Sequence, residues 1–179
     1  MTETFLTMDV HAGTHIDAPS HLVPGGASVD TLPLESMRGP AYVADLTGFP
    51  VLTDEILRAR VPEGVTKLLM RTDNSRRRLF SSSEFAEDFV ALDSSGAGWV
   101  VDHGVTLVGN DYLSIETFRG NGSVHRKLFS AETIVLEGLD LADVEPGYYE
   151  LHCMPLSMPG AEAAPVRAAL ERTKASRPS

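Results

Sequence analysis

The chain is predicted to be a single α/β domain, with a mixed, β-rich sheet or closed barrel and few flanking helices. Three observations predict this class. Short apolar runs at 41–46, 67–71, 105–109 and 133–136 have the length and composition of strands. Short helix patterns with their own start or stop signals lie between some of them, at 54–60 and 98–103. Strands alternating with helical pieces build α/β domains. The 179 residues show no internal repeat and no domain-sized shift of composition, so one domain spanning 1–179 is expected.

In chain order, residues 5–10 read as an entry strand. A turn that Gly13 permits follows, then an irregular loop ending near Pro19. Pro24-Gly25-Gly26 mark 22–33 as a loop. Strand 41–46 is ended by Gly48 and Pro50. Thr53 caps a short helix over 54–60, which Pro62 ends. Leu68, Leu69 and Met70 make 67–71 a buried strand. Ser81-x-x-Glu84 is a capping-box pattern ahead of Phe85 and Phe89. A second short helix covers 98–103, with Gly104 as its stop, and strand 105–109 follows. Strand 133–136 delivers Glu137 at its end, just before Gly138. His103 ends a helix, His152 alternates along a later strand, and Cys153 is a buried thiol in an apolar run. Arg76-Arg77-Arg78 is a solvated run, and 174–179 is expected to fray.

The chemistry gathers in residues 11–21, which hold three of the six histidines. His11, His15, Asp17 and His21 stand at even offsets. A straight strand would share one face among them but hold His11 and His15 about 13 Å apart, too far to share an ion. Gly13, Thr14 and Pro19 disfavour a continuous helix. A turn is therefore needed to gather the ligands. Imidazole and carboxylate without thiolate suit zinc, manganese or iron, and the two oxygens of Asp17 could bridge two ions. Ligand histidines must be neutral, so affinity should fall below about pH 6.5.

A formal charge of −10 argues against nucleic acid as a partner. The one cysteine excludes an internal disulfide and fits a reducing compartment. The first ten residues carry acids and no basic n-region, so no signal peptide is read there. No apolar run approaches the roughly 20 residues that span a bilayer. A cytoplasmic protein without a membrane partner is expected.

The motif His-x-Gly-Thr-His-x-Asp-Ala-Pro-x-His resembles the signature of the metal-dependent hydrolase "cyclase" family, which includes kynurenine formamidases and isatin hydrolases. The resemblance implies His11, His15 and Asp17 as metal ligands and His21 as the acid–base group. The family also has a second-metal His and a bridging Glu twelve residues apart, the spacing of His125 and Glu137. Arg71-Thr72-Asp73-Asn74 is similar to a family segment at a strand end, so Arg71 and Asp73 either line the pocket or form a solvated turn. Residues 109–116 resemble Gly-Ile-Asp-x-x-Ser-x-Asp, departing at Asn110 and Glu116. Asp111 there either orients the site or is a turn residue. The likeness runs from Asp9 to Leu170. Ten residues precede His11, against several tens in family members, so the chain reads as short at its N-terminus.

By resemblance, the fold is of the swivelling β/β/α type. The cofactor is one or two divalent ions, Zn or Mn, and the substrate is a small-molecule amide, either an aryl formamide such as N-formylkynurenine or a cyclic amide. The assembly is a homo-oligomer, dimer or tetramer. Metal-activated water would attack, with His21 moving the proton to the leaving nitrogen. The alternatives are a metal-dependent isomerase or dehydratase, and a non-catalytic metal-binding or partner subunit.

Overall fold

The computed structural model describes residues 1–172; the stretch 174–179, expected to fray, lies outside them. Among the described residues the strands are β1 (His15–Asp17), β2 (Arg38–Asp45), β3 (Lys67–Arg71), β4 (Leu107–Asn110), β5 (Ile134–Glu137), β6 (Gly147–His152), β7 (Ala163–Pro165) and β8 (Ala169–Arg172). The helices are α1 (Asp54–Arg60), α2 (Asp73–Arg76), α3 (Ser94–Asp102) and α4 (Ser123–Ser130). One mixed sheet runs β7-β1-β5-β4-β3-β2-β6-β8. Strands β2 to β5 are parallel to one another, while β1, β6, β7 and β8 pair antiparallel.

The edge strands β7 and β8 are separated only by residues 166–168. On a flat sheet, seven interstrand steps of about 4.8 Å would hold those edges about 34 Å apart. The four Cα steps from Pro165 to Ala169 reach at most about 14 Å. The sheet must therefore curl until its edges nearly meet, without closing into a hydrogen-bonded barrel.

Alternation along the strands sorts the core into two layers. Leu68, Met70, Val108 and Val135 face the layer that holds Leu57, Trp99, Val124, Leu128 and Phe129 from the helices. Leu69, Leu107, Ile134, Leu136 and Ile16 face the inside of the curl. Burial on both faces explains why 68–70 reads as continuous apolar sequence.

Helix α1 has the bounds expected, with Thr53 Oγ1 accepting from Ile56 N at 3.4 Å, and β3 likewise. Three expectations need correction here, and one helix is added. Residues 5–10 form no strand; Phe5 and Leu6 are 92% and 76% exposed, and although Leu6, Thr7, Met8 and Val10 lie near Pro165 of the edge strand β7, no strand pairing joins them. Ser81-x-x-Glu84 starts no helix. Glu84 N bonds to Ser82 Oγ instead, and Phe85 and Phe89 pack on Tyr112. Helix α3 begins at Ser94 rather than 98, because Asp93 Oδ1 accepts from Ser95 N and Gly96 N. Gly96 costs helix propensity but allows close packing: a Cβ there would collide with the Leu52 carbonyl oxygen. Helix α4 was not foreseen, although Val124, His125, Leu128 and Phe129 are buried at helical spacing.

Candidate metal centre

Strand β1 enters between β5 and β7, with His15 opposite Glu137 and Asp17 opposite Val135. Ile16 points into the curl, so His15 and Asp17 point to the other face. The same parity on β5 turns Val135 and Glu137 to that face, where α4 lies. His125, in the first turn of α4, reaches down to Glu137, with Nε2 and Oε1 3.1 Å apart.

The turn before β1 brings back the remaining ligand. Gly13 takes φ +71°, which suits glycine, and Gly138 takes +69° at the end of β5. A Cβ on Gly138 would collide with the Gly13 carbonyl oxygen, so the turn and the strand end approach closely only through glycine. Thr14 Oγ1 donates to Gly138 O at 2.6 Å and pins the two together. The chain then returns His11 Nδ1 to 2.9 Å from Asp17 Oδ1. His15 and Asp17 thus lie on a short strand rather than an irregular loop, while the turn at Gly13 is where the sequence places it.

Two ligand triads result, His11–His15–Asp17 and Asp17–His125–Glu137, each with ligand atoms within 4.8 Å of one another. They share Asp17. His15 Nδ1 lies 2.9 Å from the Gly13 carbonyl, which can only accept. Nδ1 therefore carries the proton, and in the neutral ring the Nε2 lone pair is free for a cation. His15 Nε2 and Asp17 Oδ1 are buried 3.3 Å apart, yet neither finds an aligned hydrogen bond. Buried polar atoms are normally satisfied. Lone pairs converging without bonding to each other fit a divalent cation, as does the thiolate-free donor set.

Without metal, protons hold this cluster together. Burial disfavours the His15 imidazolium, but Asp17 and Glu137 outweigh it and hold its pKa at about 10. Burial likewise opposes the His125 imidazolium, but Glu137 and Glu116 raise its pKa to about 9. Asp17 is held below the usual carboxylate range by His11 and His15, against its own burial. The contact with Asp17 raises His11.

His21 differs from these. It ends the 3-10 turn Pro19–His21, with its ring 4.4 Å from that of His11 and 6.3 Å from that of His125. Among the described residues its ring makes no hydrogen bond or ion pair. Burial lowers its pKa, so the ring is neutral at pH 7 and can accept a proton.

The structure brings His11, His15, Asp17, His21, His125 and Glu137 together. Arg71, Asp73 and Asp111 lie apart from this cluster. Arg71 Nε donates to Leu141 O at 3.2 Å and pairs with Asp45 at 3.5 Å. Asp73 pairs with Arg76 at 2.7 Å. Asp111 is fully buried and accepts from Thr72 N, Thr72 Oγ1, Asn74 Nδ2 and Ser75 N, which ties α2 to the end of β4. Cys153 is buried, with Sγ donating to Met37 O at 3.1 Å and burial pushing its pKa up to about 12.

Sequence reasoning missed two features. One is an apolar cleft of about 270 Å³ beside His125, lined by Leu22, Phe85, Phe89, Leu113 and Phe118. The other is Glu116, whose Oε2 lies 3.1 Å from His125 Nδ1. Its departure from the resembled motif was the one available signal.

The "Putative cyclase" family model matches residues 2–117. Cyclase-like protein 2 of Oryza sativa subsp. japonica is 41% identical over 172 residues, covering 92% of this chain. The chain spans 63% of that rice protein's length. A kynurenine formamidase of Salinibacter ruber is 34% identical over 167 residues, covering 92% of this chain and 77% of the relative. A solved structure described as a potential metal-dependent hydrolase with cyclase activity superposes with a TM-score of 0.85 at 37% identity, covering 93% of this chain and 82% of the other. The chain belongs to the cyclase family.

Proposed function

We propose that this chain is a metal-dependent amidohydrolase that cleaves the C–N bond of an aryl formamide, such as N-formylkynurenine, or of a cyclic amide. The observation that carries this reading is the pair of triads sharing Asp17, with a neutral histidine beside them. The family relative named for formamidase activity supports the substrate class. His11, His15 and Asp17 would hold one divalent ion, Zn or Mn, and Asp17, His125 and Glu137 a second. Such ions lower the pKa of water and polarise a carbonyl.

His21 is the catalytic residue in this reading. As water attacks the carbonyl carbon, a ring nitrogen of His21 takes its proton and passes it to the leaving nitrogen. The C–N bond breaks to give an acid and an amine. The cleft beside His125 offers Phe85 and Phe118, with ring centroids 5.6 Å apart, as an apolar seat for an aryl group. The chain's charge of −10 and single buried cysteine favour a cytoplasmic setting with no nucleic-acid partner, and family resemblance alone suggests a homo-oligomer. No helix among the described residues is long and apolar enough to cross a membrane.

The test depletes the protein of metal, reloads it with Zn or Mn, and follows N-formylkynurenine and isatin by product release. Metal-dependent hydrolysis of either is expected. If reloading changes neither stability nor turnover of any amide tested, the reading fails. Metal-dependent isomerisation without hydrolysis would move the protein to a different reaction class.

A further inference from the structure

We propose that Glu116 is a positioning residue that fixes which ring nitrogen His125 turns towards Glu137; the proposal rests on the metal-centre reading above. Helix α4 starts from Gly122, which has φ +81° and no side chain to cap the free N–H groups. Glu116 supplies the acceptors from the preceding loop. Its Oε1 accepts from Gly122 N at 3.0 Å and Ser123 N at 3.2 Å, and its Oε2 from Val124 N at 3.2 Å. A carboxylate engaged this way is a complete cap.

Oε2 does more than a cap requires. It also faces His125 Nδ1 at 3.1 Å, inside a site where Glu116 is only 5% exposed. Both carboxylates can only accept, Glu116 Oε2 at Nδ1 and Glu137 Oε1 at Nε2; once a cation takes the Nε2 lone pair, Glu116 holds the remaining proton on Nδ1. The Nε2 lone pair of the neutral ring is thereby directed at the space beside Glu137 Oε1, 3.1 Å away. One side chain thus couples the start of the helix to the orientation of its imidazole. Gly120 makes room for it: a Cβ there would overlap Glu116 Cγ and Oε1.

The test uses the full chain in three forms: wild type, Glu116→Gln and Gly120→Ala. Glutamine keeps the shape but offers one acceptor oxygen instead of two. Gly120→Ala leaves every hydrogen-bonding group in place and displaces the carboxylate, so it decides the matter if Glu116→Gln does not fold. Metal-depleted protein is titrated with Zn in competition with a chromophoric chelator. Nitrogen NMR of the Zn-loaded protein reads which His125 ring nitrogen binds the metal and which carries the proton. Both variants should bind Zn about 10–100-fold more weakly, and the single Nε2-bound, Nδ1–H form should give way to a mixture. If Glu116 only caps the helix, both variants will melt earlier while Zn affinity and tautomer stay as in wild type, and the proposal is overturned. A wild-type chain that binds no Zn would instead overturn the metal-centre reading and, with it, this proposal.

Discussion

Replacing His21 with alanine should slow turnover while leaving the metal in place, and replacing His15 should remove both. The difference follows from their surroundings. His21 is half-buried, and its ring makes no hydrogen bond among the described residues. Its removal should cost about 1 kcal/mol of stability or less. Loss of a general acid–base group lowers kcat by about 10²–10⁴-fold, or roughly 2.7–5.5 kcal/mol of barrier. His15 is 1% exposed, with Nε2 3.3 Å from Asp17 and 3.5 Å from Glu137. Its removal strips two buried carboxylates of a shared partner, at a cost of about 3–5 kcal/mol in the metal-free protein. The assay combines metal content after dialysis, thermal melting and kcat on the amide the wild type turns over. If His21→Ala loses metal as His15→Ala does, His21 is a ligand. If it keeps metal and full kcat, the proton carrier lies elsewhere.

The metal-free protein should lose stability as pH rises. The folded pKa values of His15 and His125, about 10 and about 9, lie above the ordinary 6.5, so their stabilisation is complete below 6.5 and lost as pH rises through 9–10. Asp17 acts in the opposite sense, and its stabilisation is lost on acidification. Metal replaces those protons, so the gap in Tm between loaded and metal-free protein should widen from neutral to alkaline pH. Competition between protons and metal therefore begins well above the pH of about 6.5 expected for isolated histidines; a gap that narrows would refute this. Gly138→Ala should cost at least about 1–2 kcal/mol for the left-handed backbone alone. It should also weaken metal binding, because the Gly13 carbonyl it strikes orients His15; unchanged melting and unchanged metal titration would contradict the role given to the turn. Cys153 should resist thiol reagents in the native protein at neutral pH and react only after denaturation. Rapid labelling of the folded chain would show that the segment just after β6 opens.

The sequence by itself determined the features whose physics is local. Thr53 and Pro62 bound α1 because a cap and a breaker act within a turn of the residues they govern. The motif from His11 to Asp17 could be read as a ligand cluster because Gly13 and two-residue alternation on one short segment suffice to gather it. Tertiary structure decided the rest. Residues 5–10 alternate like a strand, but a strand exists only where an edge accepts it. Ser81-x-x-Glu84 has the spacing of a cap, but Phe85 and Phe89 found a better partner in the ring of Tyr112. Spacing and resemblance singled out His125 and Glu137, yet only the pairing of β5 with β1 sets Glu137 opposite His15, and only α4 lowers His125 onto it. Glu116 and Gly120 matter because the loop between β4 and α4 folds back over the helix start, a contact across six to nine residues that only the path of that loop decides.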